Sequence, residues 1–188
     1  MSIENVTAEK AALRERFRLA RAARTDTRTR SALICAALED VLEDAGTVHL
    51  FWPLPGEVDL RPLAEHLLWA GTTVVLPAVA GPRRLEHRPF EGAHALVPGR
   101  WGLLEPHASA RSVAPADLEV VVVPGLAFGR DGTRLGMGGG FYDAFLPQTQ
   151  ALRVGVAFED ALLASVPTEP HDVGVEVVVT ERETVRVL

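Results

Sequence analysis

The sequence predicts a three-layer α/β protein, a mainly parallel sheet flanked by helices, and three observations carry that expectation. Apolar segments of strand length alternate with segments of helical period. One strand-like segment, Val120 to Val123, lacks polar alternation, as a central parallel strand covered on both faces requires. Glycines close two of the helical segments, at Gly46 and Gly71.

Taken in order, the first helix is expected from Thr7, as N-cap, to about Arg24, with Leu13, Phe17 and Ala20 on its apolar side. At 100° per residue Lys10, Arg14, Arg18 and Arg21 fall within about 80° of one another, so one narrow face is cationic. The second helix presents Leu33, Ala37, Leu38, Val41, Leu42 and Ala45 as its buried side. Val48 to Trp52 then reads as a strand, Leu60 to Ala70 as a helix, and Thr73 to Val79 as a strand. After Val120 to Val123, two more strands are expected at Arg153 to Phe158 and Val175 to Thr180. Ligands of such folds sit beyond the carboxyl ends of the strands, which directs attention to the loops after Trp52, Val123 and Phe158.

With 188 residues against about 150 per domain, one domain spanning residues 1–188 is expected. The formal charge of −6 argues against a surface built to coat nucleic acid or acidic lipid. No apolar run reaches the ~20 residues of a membrane helix, and the N-terminus lacks the apolar core of a secretory signal. The single cysteine, Cys35, fits a reducing cytoplasm and reads as buried packing. Of 19 basic residues only Lys10 is a lysine.

Seven of the 16 glycines lie between Gly125 and Gly140. Such density destabilises ordered backbone unless close approach or positive φ is needed. Backbone N–H groups curving around a phosphate would need both, with Arg134 as a charged donor and a helix start near Phe141. It is no Walker loop, which needs a lysine, and no dinucleotide fingerprint, whose third glycine position is Phe141. Asp143 suits Mg²⁺ as a hard oxygen ligand, or equally a turn cap or an arginine partner.

Arg134-Leu-Gly-x-Gly-x-Gly-x-Tyr-Asp143 resembles the signature of the 5-formyltetrahydrofolate cyclo-ligases, also called 5,10-methenyltetrahydrofolate synthetases. Further pieces in that family's order are Lys10-Ala-Ala-Leu-Arg14, Pro55-Gly-Glu57-Val, Trp101-Gly-Leu-Leu-Glu105-Pro, Pro124-Gly-Leu-Ala-Phe128, and His171-Asp172 followed by Val177 to Glu181.

The resemblance implies a NagB/RpiA/CoA-transferase-like fold and a soluble cytoplasmic enzyme, a monomer or weak homodimer. It would act on a reduced folate and ATP with Mg²⁺, the formyl oxygen being phosphorylated before ring closure releases phosphate. It assigns Lys10, Arg14 and the loop Arg134, Leu135, Gly136, Met137, Gly138, Gly139, Gly140, Phe141 and Tyr142 to ATP, with Arg134 and Lys10 catalytic. Folate contacts fall on Trp52, Glu57 and Met137 to Phe141, and metal ligands on Asp143 and Glu176. Glu176 stands where many relatives have Asp, and reads equally as a strand-edge glutamate in water. Gly139 stands where some relatives carry lysine, and Ala144 where many bacterial ones carry arginine.

Two other readings stay open: a diverged nucleotide-binding relative without this activity, and a non-catalytic domain sensing a small phosphate ligand. His49, His66, His87, His94 and His107 show no zinc spacing, and nothing supports haem, flavin or NAD.

Overall fold

The computed structural model describes residues 3–187, with the side chains of residues 3, 4 and 101 outside the description. In chain order the first half comprises α1 (Ile3–Ala23), α2 (Thr27–Leu42), β1 (Thr47–His49), α3 (Arg61–Trp69), β2 (Thr73–Gly81), β3 (Arg84–Pro89), β4 (Leu96–Pro98) and β5 (Leu104–Pro106). The second comprises β6 (Val120–Val123), β7 (Ala127–Gly129), β8 (Arg134–Leu135), α4 (Phe141–Phe145), β9 (Leu152–Val156), β10 (Leu162–Leu163), β11 (Val177–Val179) and β12 (Thr184–Arg186). A seven-stranded sheet runs in the order β12-β11-β9-β6-β1-β2-β3. Its five inner strands are parallel and the edges β3 and β12 antiparallel, so the expected α/β architecture is present.

The valine run explains the layering. Val120 and Val122 join the core under α2 and α3, whereas Val121 and Val123 face α1, α4 and the small sheet β10-β7-β8. Each strand thus serves two apolar cores, and no residue of β6 is left to be polar. Gly71, at φ 90°, ends the α3 segment where expected.

Several expectations shift. Thr7 lies inside α1, which begins by Ile3, and its hydroxyl donates to Glu169 Oε1 at 3.0 Å. The buried stripe of α2 is Ile34, Cys35, Leu38 and Leu42, while Leu33 is 53% exposed: the helix is rolled toward α3 and the sheet. Cys35 packs as read, and burial pushes its thiol up to about 11. α4 begins at Phe141 as expected but has only five residues, too short for its dipole to hold an anion. Among the described residues no helix is long and apolar enough to cross a membrane.

Candidate active site

The cationic face of α1 is a brace, with each side chain tied to a different segment. Lys10 is buried at 2% exposure, its Nζ donating to Glu169 Oε2 at 2.7 Å and Asp172 Oδ2 at 2.6 Å. Arg14 Nε donates to the Gly136 carbonyl and Arg18 Nη2 to the Met137 carbonyl, both at 3.1 Å. Arg21 Nη1 donates to Glu57 Oε1 at 2.9 Å and its Nε to the Pro55 carbonyl at 2.8 Å. Residues one turn apart on a helix reach successive points along a line, so α1 holds the glycine loop at Gly136 and Met137 between its outer contacts to Asp172 and Glu57.

That loop is a partition between two chambers. The apolar one, of about 470 Å³, holds Trp52, Glu57, Pro77, Leu104, Met137 and Phe141. The polar one, of about 410 Å³, holds Lys10, Arg14, Arg83, Gly138, Glu169 and Asp172. Gly140 and Asp143 belong to both. The apolar chamber opens beyond the carboxyl ends of β1 and β6 and beside β2, where a ligand is expected, and the polar one lies against the tip between β2 and β3. The loop after β9 lies elsewhere: Phe158 is buried beneath Arg24 and Arg30.

The glycines divide into two uses. A Cβ at Gly125 would lie 2.7 Å from the Phe128 ring, so this early glycine serves packing. Gly138 and Gly140, at φ 99° and 68°, hold the partition in the left-handed region.

In the apolar chamber Trp52 packs against Phe90, ring centroids 5.6 Å apart, leaving a flat wall. Glu57 faces it with both oxygens engaged, Oε2 accepting from the Leu54 N–H at 2.8 Å. Burial raises its pKa, while the charge of Arg21, the Leu54 N–H and the Arg21 hydrogen bond pull it down. Tyr142 is raised by burial, and its hydroxyl is buried without a hydrogen-bond partner. Glu105 lines the same chamber and accepts from the Val79 N–H at 3.1 Å; the Trp101 side chain lies outside the described residues.

Arg134 and Asp143 form one ion pair, the arginine pairing that stood as an alternative to a metal role, and Asp143 Oδ1 also accepts from the Val173 N–H at 3.2 Å. Arg134 Nε donates to the Val173 carbonyl at 3.3 Å, so the buried guanidinium is fixed against the partition.

Two assignments change. Leu135 is fully buried, and its carbonyl accepts from the Leu126 N–H, so it anchors the loop and offers no side chain to a ligand. Of the residues expected around phosphate, Gly138 and Gly140 line the polar chamber, whereas Arg134, Gly136, Met137, Gly139, Phe141 and Tyr142 line the apolar one. Glu176 is paired with Arg153. Both its oxygens accept from Arg153, at 2.6 and 3.0 Å, and Oε2 also from the Arg153 N–H at 2.7 Å. The acids gathered at the polar chamber are instead Glu169 and Asp172, whose ligand atoms lie within 4.8 Å of one another and of His171. Of the two, only Asp172 stood in a sequence motif, His171-Asp172, and nothing in the sequence pointed to Glu169.

A larger open cleft of about 910 Å³ lies along α2, lined by Ser31, Cys35, Glu39 and Arg61, and includes no part of the glycine loop. Its Arg61 is already bound to Asp59.

A parallel sheet whose carboxyl edge carries two small-molecule chambers divided by a glycine partition defines an α/β enzyme. A model of the 5-formyltetrahydrofolate cyclo-ligase family matches residues 6–181. The chain is 39% identical over 143 residues to the 5-formyltetrahydrofolate cyclo-ligase of Escherichia coli strain K12, covering 72% of this chain and 78% of that one. It is 36% identical over 146 residues to the protein of the same name from Mycolicibacterium smegmatis, covering 72% and 74%. The solved Aquifex aeolicus 5,10-methenyltetrahydrofolate synthetase superposes with a TM-score of 0.86 at 32% identity, over 95% of this chain and 92% of that one. The chain belongs to the 5-formyltetrahydrofolate cyclo-ligase family.

Proposed function

We propose that the protein converts 5-formyltetrahydrofolate and ATP to 5,10-methenyltetrahydrofolate, ADP and phosphate in the presence of Mg²⁺. The observation that carries this reading is the pair of chambers meeting at Gly140 and Asp143, one polar, with Lys10, Arg14 and Arg83 in its wall, and one largely apolar, in a chain of this family.

The polar chamber takes the triphosphate against Lys10 and Arg14, with Gly138 and Gly140 allowing close approach. The apolar chamber takes the pterin, Trp52 supplying a stacking wall and Glu57 an acceptor for adjacent N–H donors. Asp143 suits Mg²⁺: one oxygen is fixed by Arg134 and Val173, leaving the other toward the chambers. Held there, the cation would neutralise charge on phosphate oxygens.

The formyl oxygen attacks the γ-phosphorus, and the bond to the bridging oxygen breaks as ADP leaves with that electron pair. The side-arm nitrogen then bonds to the activated carbon and gives its proton to solvent, while the carbon–oxygen bond breaks and releases phosphate. Lys10 and Arg134 serve as catalytic cations, and the protein's work is positioning and charge stabilisation.

The test is the near-ultraviolet absorbance of the methenyl product when purified protein meets 5-formyltetrahydrofolate, ATP and Mg²⁺. An ATP-dependent rise supports the reading. Tight ATP binding without turnover favours the diverged relative, and phosphate-ligand affinity unchanged by Lys10→Ala and Asp143→Ala favours the sensor domain.

A further inference from the structure

The hairpin between β2 and β3 turns on Pro82 and Arg83, and Arg83 is the only non-glycine described residue with positive φ, 51°. Proline at the first corner and positive φ at the second match a type II turn, whose second corner favours glycine. An L-residue there is strained, and such strain persists where the surrounding structure imposes it, often at functional sites. A register shift between Val79 and Gly81 re-aims the tip.

The tip's two arginines part company. Arg84 donates to the Ala80 carbonyl at 3.1 Å. Arg83 leans over Gly140, where a Cβ would lie 3.1 Å from its Nε and 3.5 Å from its Cζ. It lines the polar chamber beside Gly140, one of the two residues that both chambers share. The other cations around the partition are engaged: Lys10 with two carboxylates, Arg14 with the Gly136 carbonyl, and Arg134, on the apolar side, with Asp143. Arg83 has no hydrogen-bond or ion-pair partner among the described residues.

We propose that Arg83 is a catalytic residue of phosphoryl transfer, donating to the phosphoryl oxygens as the group passes from the nucleotide to the formyl oxygen across Gly140. This rests on the polar chamber being the nucleotide site. Arg83 keeps its protons throughout, and the bonds that form and break are those given above. A guanidinium suits the task, being permanently charged with donors in a planar fork that matches phosphate oxygens.

The experiment compares Arg83→Gly with Arg84→Ala, reading ADP affinity by calorimetry with Mg²⁺ and turnover by product absorbance. Glycine is at ease at positive φ, so this variant folds. It is expected to lose about 100-fold in kcat, the order of one lost transition-state donor, with ADP affinity within about twofold. Arg84→Ala is expected to keep both within about twofold. Near-normal kcat in Arg83→Gly overturns the proposal, as does a loss of ADP affinity matching the loss of kcat, or an equal loss of kcat in Arg84→Ala. Wild-type protein that binds neither ATP nor ADP overturns the nucleotide reading itself, a result separable from a defect confined to the variant.

Discussion

Lys10 Nζ lies 2.6 Å from Asp172 Oδ2, joining the N-terminal helix to the far end of the chain with Glu169 as second acceptor. The ammonium is buried and fits between two single oxygens, a geometry a wider planar guanidinium does not reproduce. Lys10→Arg is therefore expected to lower kcat at least about tenfold, and Lys10→Ala about 100-fold or more. Steady-state assays at saturating ATP check this, and a wild-type rate in Lys10→Arg reduces Lys10 to an accident of composition. Burial pushes Asp172 up, but the Glu169 N–H and Lys10 outweigh it and hold the carboxyl below its usual range. An acid with a lowered folded pKa stabilises above its unfolded value, so this link weakens only as pH falls below about 4.

Arg21 couples α1 to the carboxylate facing the apolar chamber. With Arg21→Gln the charge opposing burial of Glu57 is gone, its pKa rises further, and the carboxylate fraction near neutrality falls. The KM for the folate is expected to rise about tenfold at pH 7 and to recover as pH increases, while the KM for ATP stays within about twofold. A pH-independent rise in both constants would show that Arg21 only braces the helix.

The central strands and both helices under the sheet were legible because their signals are local: period, apolar runs and a terminating glycine. β3 was not, since Arg-Leu-Glu-His-Arg-Pro reads as a polar loop; one edge of it needs no second apolar face. The face of Lys10 and Arg14 followed from helical phase, but burial of Lys10 depends on acids 159 and 162 positions away. Glu176 shows the converse: its place next to a strand was readable, whereas its closure by Arg153 is a sheet contact. The strained Arg83 had no sequence signal beyond the proline before it.

Packing of the second core depends on a glycine in β9. A Cβ at Gly155 would overlap the ring of Phe128, which is fully buried between this glycine and Gly125. Gly155→Ala is expected to cost about 1–3 kcal/mol, the usual range for overpacking. Adding Phe128→Leu should return part of the loss. Urea unfolding of the single and double variants checks the coupling, and additive effects would dismiss it.

His49 and His87 meet edge-on under α4, ring centroids 5.2 Å apart, with His49 also against Phe145. Burial, and for His49 also the charge of its partner, holds both neutral: His87 is pushed down to about 4 and His49 well below its ordinary range. Unfolded, each takes up a proton near pH 6.5. Between about pH 6.5 and 4 the unfolded chain therefore binds protons that the folded one does not, and stability rises with pH across that window. It is complete above pH 6.5 and is lost on acidification with a slope of up to about 1.4 kcal/mol per pH unit for each histidine. Neither nitrogen of His49 has a hydrogen-bond partner, so His49→Phe removes the proton uptake and leaves no polar atom stranded. Denaturant midpoints between pH 7.5 and 4.5 should then fall about half as steeply as in the wild type, and an unchanged slope would show that the acid sensitivity lies elsewhere.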